Sequence, residues 1–205
     1  MTRTLTGLYD SYEDAKATVR ELEAAGIAHE HISLLANNVG ERHHAPVKEG
    51  NEAGPGAGTG AALGAVVGGG AGLLAGLGML AIPGVGPVVA AGWLIATAAG
   101  AAGGAVVGGA GGGLIGAMIG NGVPEEDAHV YAEGVRRGGT LVTVRVEDSI
   151  ASTAEVILER YRRVDPAVRG AAYRETGWTR FDENAPAYTE TELERDQRLR
   201  SSTTL

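Results

Sequence analysis

The chain has 205 residues, a formal net charge of −8 and no cysteine. Its acidic balance and scattered Lys and Arg exclude the clustered basic face that nucleic acid requires. The lack of cysteine removes disulfides, zinc–thiolate sites and thiol catalysis together and is compatible with a reducing compartment.

The start, MTRTLTGLYDSYED, lacks the apolar run of a secretory signal, which places the polar parts of the chain in the cytoplasm as an expectation. TLTGLY (4–9) is a β-like run, and DSYEDAKATVRELEAAG then has the marks of a helix. Asp10 and Glu13 form its expected capping box, Ala15, Val19 and Leu22 line one face, and Gly26 supplies a left-handed stop. HISLLA (31–36) is a second strand, and the polar run from Asn37 to Glu52 is a loop or linker.

The composition then changes. Of 34 glycines, 25 lie between residues 54 and 122, and no Asp, Glu, Lys, Arg or His occurs between Glu52 and Glu125. Small residues recur every fourth position at Gly60, Gly64, Gly68, Gly72 and Gly76. They recur again at Gly92, Ala96, Gly100, Gly104, Gly108, Gly112, Gly116 and Gly120. Between the two runs, IPGVGP (82–87) sets Pro83, Gly84, Gly86 and Pro87 where no long helix continues. Reflection about Gly84 brings each small residue of 60–76 onto a small residue of 92–108. This is the small-xxx-small pattern by which helices approach closely, and it predicts an antiparallel glycine-zipper hairpin with helices at about 58–81 and 88–121. The second helix has a weak point at GGAGGG (108–113). Leu63, Leu73, Leu74, Leu77, Leu80 and Ile82 supply most of the first helix's lipid preference, and Val88, Val89, Trp93, Leu94, Ile95, Leu114 and Ile115 that of the second. Trp93 suits either an interfacial anchor or a packing role.

VPEEDAHVYAEGVRRGG reads as another helix: Pro124 opens it, Glu125 to Asp127 complement its positive end, Arg136 and Arg137 its negative end, and Gly138 stops it. TLVTVRV (140–146) alternates as a third strand, with Thr140, Val142, Val144 and Val146 on one side. DSIASTAEVILERYRR closes with a helix whose apolar face is Ile150, Ala154, Ile157, Leu158 and Tyr161. The arms thus read βαβ and αβα. Neither arm alone covers its sheet, so the expected fold is α+β. It is a split ferredoxin-like sandwich of residues 1–47 and 123–170, interrupted by the hairpin segment 48–122 and followed by an acidic, aromatic tail, 171–205. In that tail Trp178, Phe181 and Tyr188 are candidates to dock on the body, and Thr189 with Glu192 to cap a short helix.

Dinucleotide-type matches at Gly70, Gly72 and Ala75 and at Gly111, Gly113 and Gly116 follow no strand and precede no acidic ribose partner, so they are packing glycines. His29, His31, His43, His44 and His129 form no ligand set, and paired acids such as Glu125 and Glu126 fit helix-end electrostatics. No catalytic, cofactor-binding or metal residue is assigned, and no small-molecule substrate is indicated.

With these residues laid out, the chain resembles the general stress protein 17M-like (heat-induced stress protein) family of bacteria. The resemblance rests on the N-terminal βαβ arm, IPGVGP within the glycine-rich segment, VPEEDAHVYAEGVRRGGTLVTV, and the tail GWTRFDENAPAYTETELERD. It implies a split α/β domain, a glycine-rich insertion, stress-linked expression and no established reaction. Two functional expectations follow. In the first, a non-enzymatic protein anchors to or remodels the cytoplasmic membrane through the hairpin, with membrane lipid and further copies of itself as partners. In the second, a soluble cytoplasmic homo-oligomer uses the hairpins as its assembly core.

Overall fold

The computed structural model describes residues 1–40, 43, 78–103 and 113–203. Five strands form one antiparallel sheet: β1 (Thr2–Tyr9), β2 (Ile32–Asn37), β3 (Gly78–Ile82), β4 (Gly86–Gly92) and β5 (Thr140–Glu147), in the order β1-β5-β2-β4-β3. Because β5 pairs antiparallel with both β1 and β2, those two strands run parallel with β5 between them. The N-terminal and C-terminal arms therefore share one sheet.

Seven helices are present among the described residues: α1 (Tyr12–Ala24), α2 (Trp93–Gly103), α3 (Gly113–Ile119), α4 (Glu125–Arg136), α5 (Asp148–Arg160), α6 (Pro166–Glu175) and α7 (Glu190–Thr203). The two-residue period of the strands divides the core into two layers. On one face Tyr9, Ile32, Leu34, Ala36, Val89, Val142, Val144 and Val146 meet Val19 and Leu22 of α1 and Ala154, Ile157 and Leu158 of α5. On the other face Leu8, Leu141, Leu35 and Ala90 stand opposite one another across four strands. Leu94 and Ile95 of α2, Leu114, Ile115 and Met118 of α3, and Ala128, Tyr131 and Val135 of α4 cover them. Each fully buried Val or Leu here contributes roughly 1.5–3 kcal/mol, so both faces are committed to packing.

The structure corrects the helical hairpin over its described part. Residues 78–82 and 86–92 are strands, not helix, and the reversal at Pro83, Gly84, Gly86 and Pro87 joins β3 to β4. Val85 N–H closes this turn on Ile82 O at 3.0 Å, with Gly84 and Gly86 at φ 73° and 97°. Tertiary pairing overrides the helical periodicity: as a strand beside β2, residues 88–91 bury Val88 and Ala90 on one face and Val89 and Ala91 on the other. Gly92 is consequently no helix-packing position. It ends β4 at φ 98°, where a β-carbon would collide with the Ile32 carbonyl oxygen. Ala96 and Gly100 lie in α2, Gly116 lies in α3 and Gly120 just beyond it. These two helices pack against each other and are separate segments. Gly60, Gly64, Gly68, Gly72, Gly76, Gly104, Gly108 and Gly112 fall outside the described residues, as does the part before residue 78 of the helix expected over about 58–81. Residues 78–103 and 113–119, grouped by composition with a separate hairpin, contribute to the same sheet and core as the arms.

Smaller differences are local. The N-cap of α1 is Ser11, whose side chain accepts from Asp14 N–H, while Asp10 holds Arg169 with both carboxylate oxygens. Ile150 is exposed, and Ala151 takes its place on the buried face of α5. Helix α6 spans the boundary expected after residue 170; it is capped by Asp165, which accepts from Ala167 and Val168 N–H.

Tyr9 ties the first strand to α5, its hydroxyl donating to Leu158 O at 2.7 Å. Burial pushes its pKa up to about 12, against the opposing effect of a Thr18 hydrogen bond. A raised folded-state pKa means that this group's stabilisation is complete below the unfolded value near pH 10 and is lost as pH rises through about 12. Tyr9→Phe is expected to cost about 1 kcal/mol in urea denaturation at neutral pH and to flatten the alkaline loss over that window. An unchanged alkaline limb would contradict the assignment. Gly92→Ala, strained in φ and blocked by Ile32, is expected to destabilise by about 3 kcal/mol. Gly26→Ala, at φ 89° in open space, should cost only about 1 kcal/mol.

Candidate functional site

The densest charged cluster among the described residues lies at the C-terminal end of α4. Glu133 sits one turn before Arg136 and Arg137 on a helix whose other buried residues include Ala132, Gly134 and Val135. Its carboxylate is 1% exposed and takes Arg137 Nε at 2.7 Å and Arg136 Nη1 at 3.4 Å. A buried carboxylate requires such partners, because desolvation of an unpaired charge costs several kcal/mol. The node is fastened to the sheet through Asn37, whose Nδ2 donates to Arg136 O at 3.3 Å.

Both arginines also reach the C-terminal tail. Arg137 Nη1 meets Asp196 Oδ1 at 3.4 Å, and Arg136 Nη2 donates to Pro186 O at 2.9 Å. The Arg136 guanidinium lies 4.9 Å from the Tyr188 ring centroid, and that of Arg137 lies 4.3 Å from Tyr173 and 5.8 Å from Tyr188. These are cation–π contacts in a largely desolvated setting. Burial disfavours the charge on Arg137, but its hydrogen bond and attraction to Glu133 outweigh that and raise its pKa above the usual value. Burial likewise raises the Tyr188 pKa.

The tail is placed by apolar anchors and by glycines that let it approach. Phe181 enters the core layer beneath α3 and α4, and Leu193 is fully buried beside Gly138. At the β3–β4 turn, a β-carbon on Gly84 would lie 2.7 Å from Asp182 O and 2.8 Å from Glu183 Cα, so the tail backbone crosses where no side chain stands. Thr189 and Glu192 form the expected capping box of α7: the carboxylate accepts from Thr189 N–H at 2.7 Å, and Thr189 Oγ1 accepts from Glu192 N–H at 3.4 Å. Trp178 packs edge-on against Tyr173.

A second polar feature lies on the α2–α4 side of the sheet. Trp93 packs partly buried against the body, its Nε1 donating to His31 O at 3.0 Å, and Arg145 stacks 3.5 Å from its ring centroid. Closer to the tail, His129 on α4 is mostly buried beside Glu125. Burial and then the charge of Arg180 lower its pKa, against the opposing pull of Glu125 and Glu183.

Chemically, the node at Arg136 and Arg137 holds the chain's own tail through one ion pair, one backbone hydrogen bond and the Tyr188 ring. The sequence showed its two ends without their meeting. Arg136 and Arg137 read as helix-dipole partners, and the unused signal was a Glu three and four residues before two Arg on an otherwise apolar helix face. The repeating glycines, by contrast, are not gathered into one seam among the described residues. Ala96 and Gly100 lie in α2, where Ala96 is exposed, and Gly92 belongs to the sheet. No family model matches the chain, and no curated protein or solved structure is significantly similar to it.

Glu133→Gln leaves two arginines short of their buried counter-charge and is expected to cost about 3 kcal/mol in chemical denaturation. Tyr188→Phe keeps the ring under the guanidinium groups and should change stability by less than about 0.5 kcal/mol. Equal effects from the two variants would show that Glu133 does not organise the node.

Proposed function

We propose that the chain is a non-enzymatic, self-associating scaffold protein, linked to bacterial stress response by its family resemblance. The α/β body carries the glycine-rich residues 54–77 as its assembly element. The observation that carries this reading is the burial of Val88, Val89, Leu94, Ile95, Leu114 and Ile115. These side chains of the uncharged segment are thereby committed to the body's own core and withdrawn from lipid. Among the described residues no helix is long and apolar enough to cross a membrane. Charges are paired at the C-terminal end of α4, Glu133 with Arg136 and Arg137, and across elements, Asp10 with Arg169 and Arg137 with Asp196, which suits a structural role. Self-association through the remaining small-residue run follows the packing logic of closely approaching helices. The parallel β1 and β2 flanking β5 support the finer reading of the body as a split ferredoxin-like sandwich.

Membrane attachment through the same residues is the second reading, favoured by the uncharged run from Ala53 to Leu77 with Leu63, Leu73, Leu74 and Leu77. Fractionation separates the two. A scaffold is expected in the supernatant after carbonate extraction and, purified without detergent, as a large particle. Gly68→Leu should reduce that particle to a dimer or smaller. Recovery in the carbonate-resistant membrane fraction would overturn the scaffold and support the second reading, and a particle indifferent to Gly68→Leu would reject the glycine segment as its seam.

A further inference from the structure

The tail is held at separated points, and those points are its own aromatic and acidic residues. Phe181 fills the core layer under α3 and α4, Tyr188 lies under the two guanidinium groups, Leu193 is buried beside Gly138, and Asp196 meets Arg137. From Glu190 to Arg198 the other residues of α7 are polar and mostly exposed. The strip between these anchors is backbone crossing glycine: Gly84 under Asp182 and Glu183, and Gly86 under Ala187. An element fixed by a few anchors opens at far lower free energy than the sheet beneath it, because it carries little of the buried apolar area.

The connection to the body is fixed as far as Trp178. Helix α6 ends at Glu175, Gly177 N–H and Trp178 N–H donate back to Arg174 O and Tyr173 O, and the Trp178 ring packs on Tyr173. Thr179 and Arg180 lie outside any helix or strand between that cap and Phe181, and rotation there swings residues 181–203 away. The surface left behind is fitted to one chemistry, an acidic segment with aromatic and leucine anchors in fixed order, and a second copy of this chain supplies that segment unchanged.

We propose that two copies exchange their C-terminal tails, so that residues 181–196 of each occupy the Arg136–Arg137 face of the other. The contact uses a different surface from the glycine segment and goes beyond the assembly proposed above. Exchange keeps every anchor and ion pair of the closed form, so it costs only the association entropy and is favoured by raised chain concentration.

The absence of native cysteine makes the test direct. Over Gly86, where a β-carbon would lie 2.7 Å from Ala187 Cβ and 3.8 Å from Val39 Cγ2, the tail and the β2 end of the body meet. Full-length Val39→Cys and Ala187→Cys chains are mixed at high concentration, incubated and treated with a short bis-maleimide, whose reach spans the crossing over Gly86. The expected result is a covalent dimer in the mixture, at least tenfold more abundant than with either chain alone, and unaffected by adding Gly68→Leu. The double variant is expected to close internally when treated at low concentration. A mixture that stays monomeric while the double variant closes internally would overturn the exchange, and failure of the double variant to form either bond would overturn the docking itself. The Gly68→Leu chain gives an independent reading by sedimentation at rising concentration. A dimer fraction that rises with concentration supports the proposal, and a chain that stays monomeric throughout overturns it.

Discussion

The fold depends on β5 pairing with two strands from the opposite end of the chain. Thr140–Glu147 hydrogen-bonds β1 along eight residue pairs and β2 along five, and both contacts are long-range. Without β5, β1 and β2 are not neighbours, the α1 face has no floor and α4 has nothing to cover. The pairing also fixes register: a slip of one residue would exchange Val142, Val144 and Val146 with Leu141 and Thr143 between the two core layers. Every helix in contact with the sheet inherits its position from that ladder.

A second consequence is where the sheet must stop. With β5 filling the gap beside β1, the exposed edge of β2 needs a partner, because an unpaired, apolar edge strand invites association. The chain supplies β4 from within its own uncharged segment, and β4 in turn is paired by β3. Leu94 and Ile95, immediately after Gly92, then pass over the open face as α2. The end of the sheet defined by Tyr9, Thr140, Asn37 and the β3–β4 turn is covered by the tail. The tail's ionic partners stand on α4 and its apolar partners in the core, so one helix both covers the sheet and receives the tail.

Much of this was readable from the residues. The three strands of the arms, α1, α4 and α5, and the left-handed stops at Gly26 and Gly138 follow from period, capping and turn chemistry, all of which act over a few residues. The capping box of Thr189 and Glu192 was readable for the same reason. The β3–β4 hairpin was not. Its valines, alanines and glycines satisfy a period of four, yet GPVVAAG has weak helix propensity and two β-branched residues. The deciding contact, Leu35 opposite Ala90, spans 55 positions of sequence. The Arg136–Arg137 node was half readable: charge at a helix end is a local signal, whereas its pairing with Tyr188 and Asp196 depends on how the chain returns after α6.

The second half of the uncharged segment begins as sheet, joined to β2, and not as a helix of a separate hairpin. Backbone NMR of isotopically labelled full-length protein tests this most directly. Extended-strand Cα and Cβ shifts are expected from Val88 to Ala91, together with cross-strand proton contacts between Ala36 and Val89 and between Leu35 and Ala90. Helical shifts through Val88–Ala91, with no contact to β2, would contradict it.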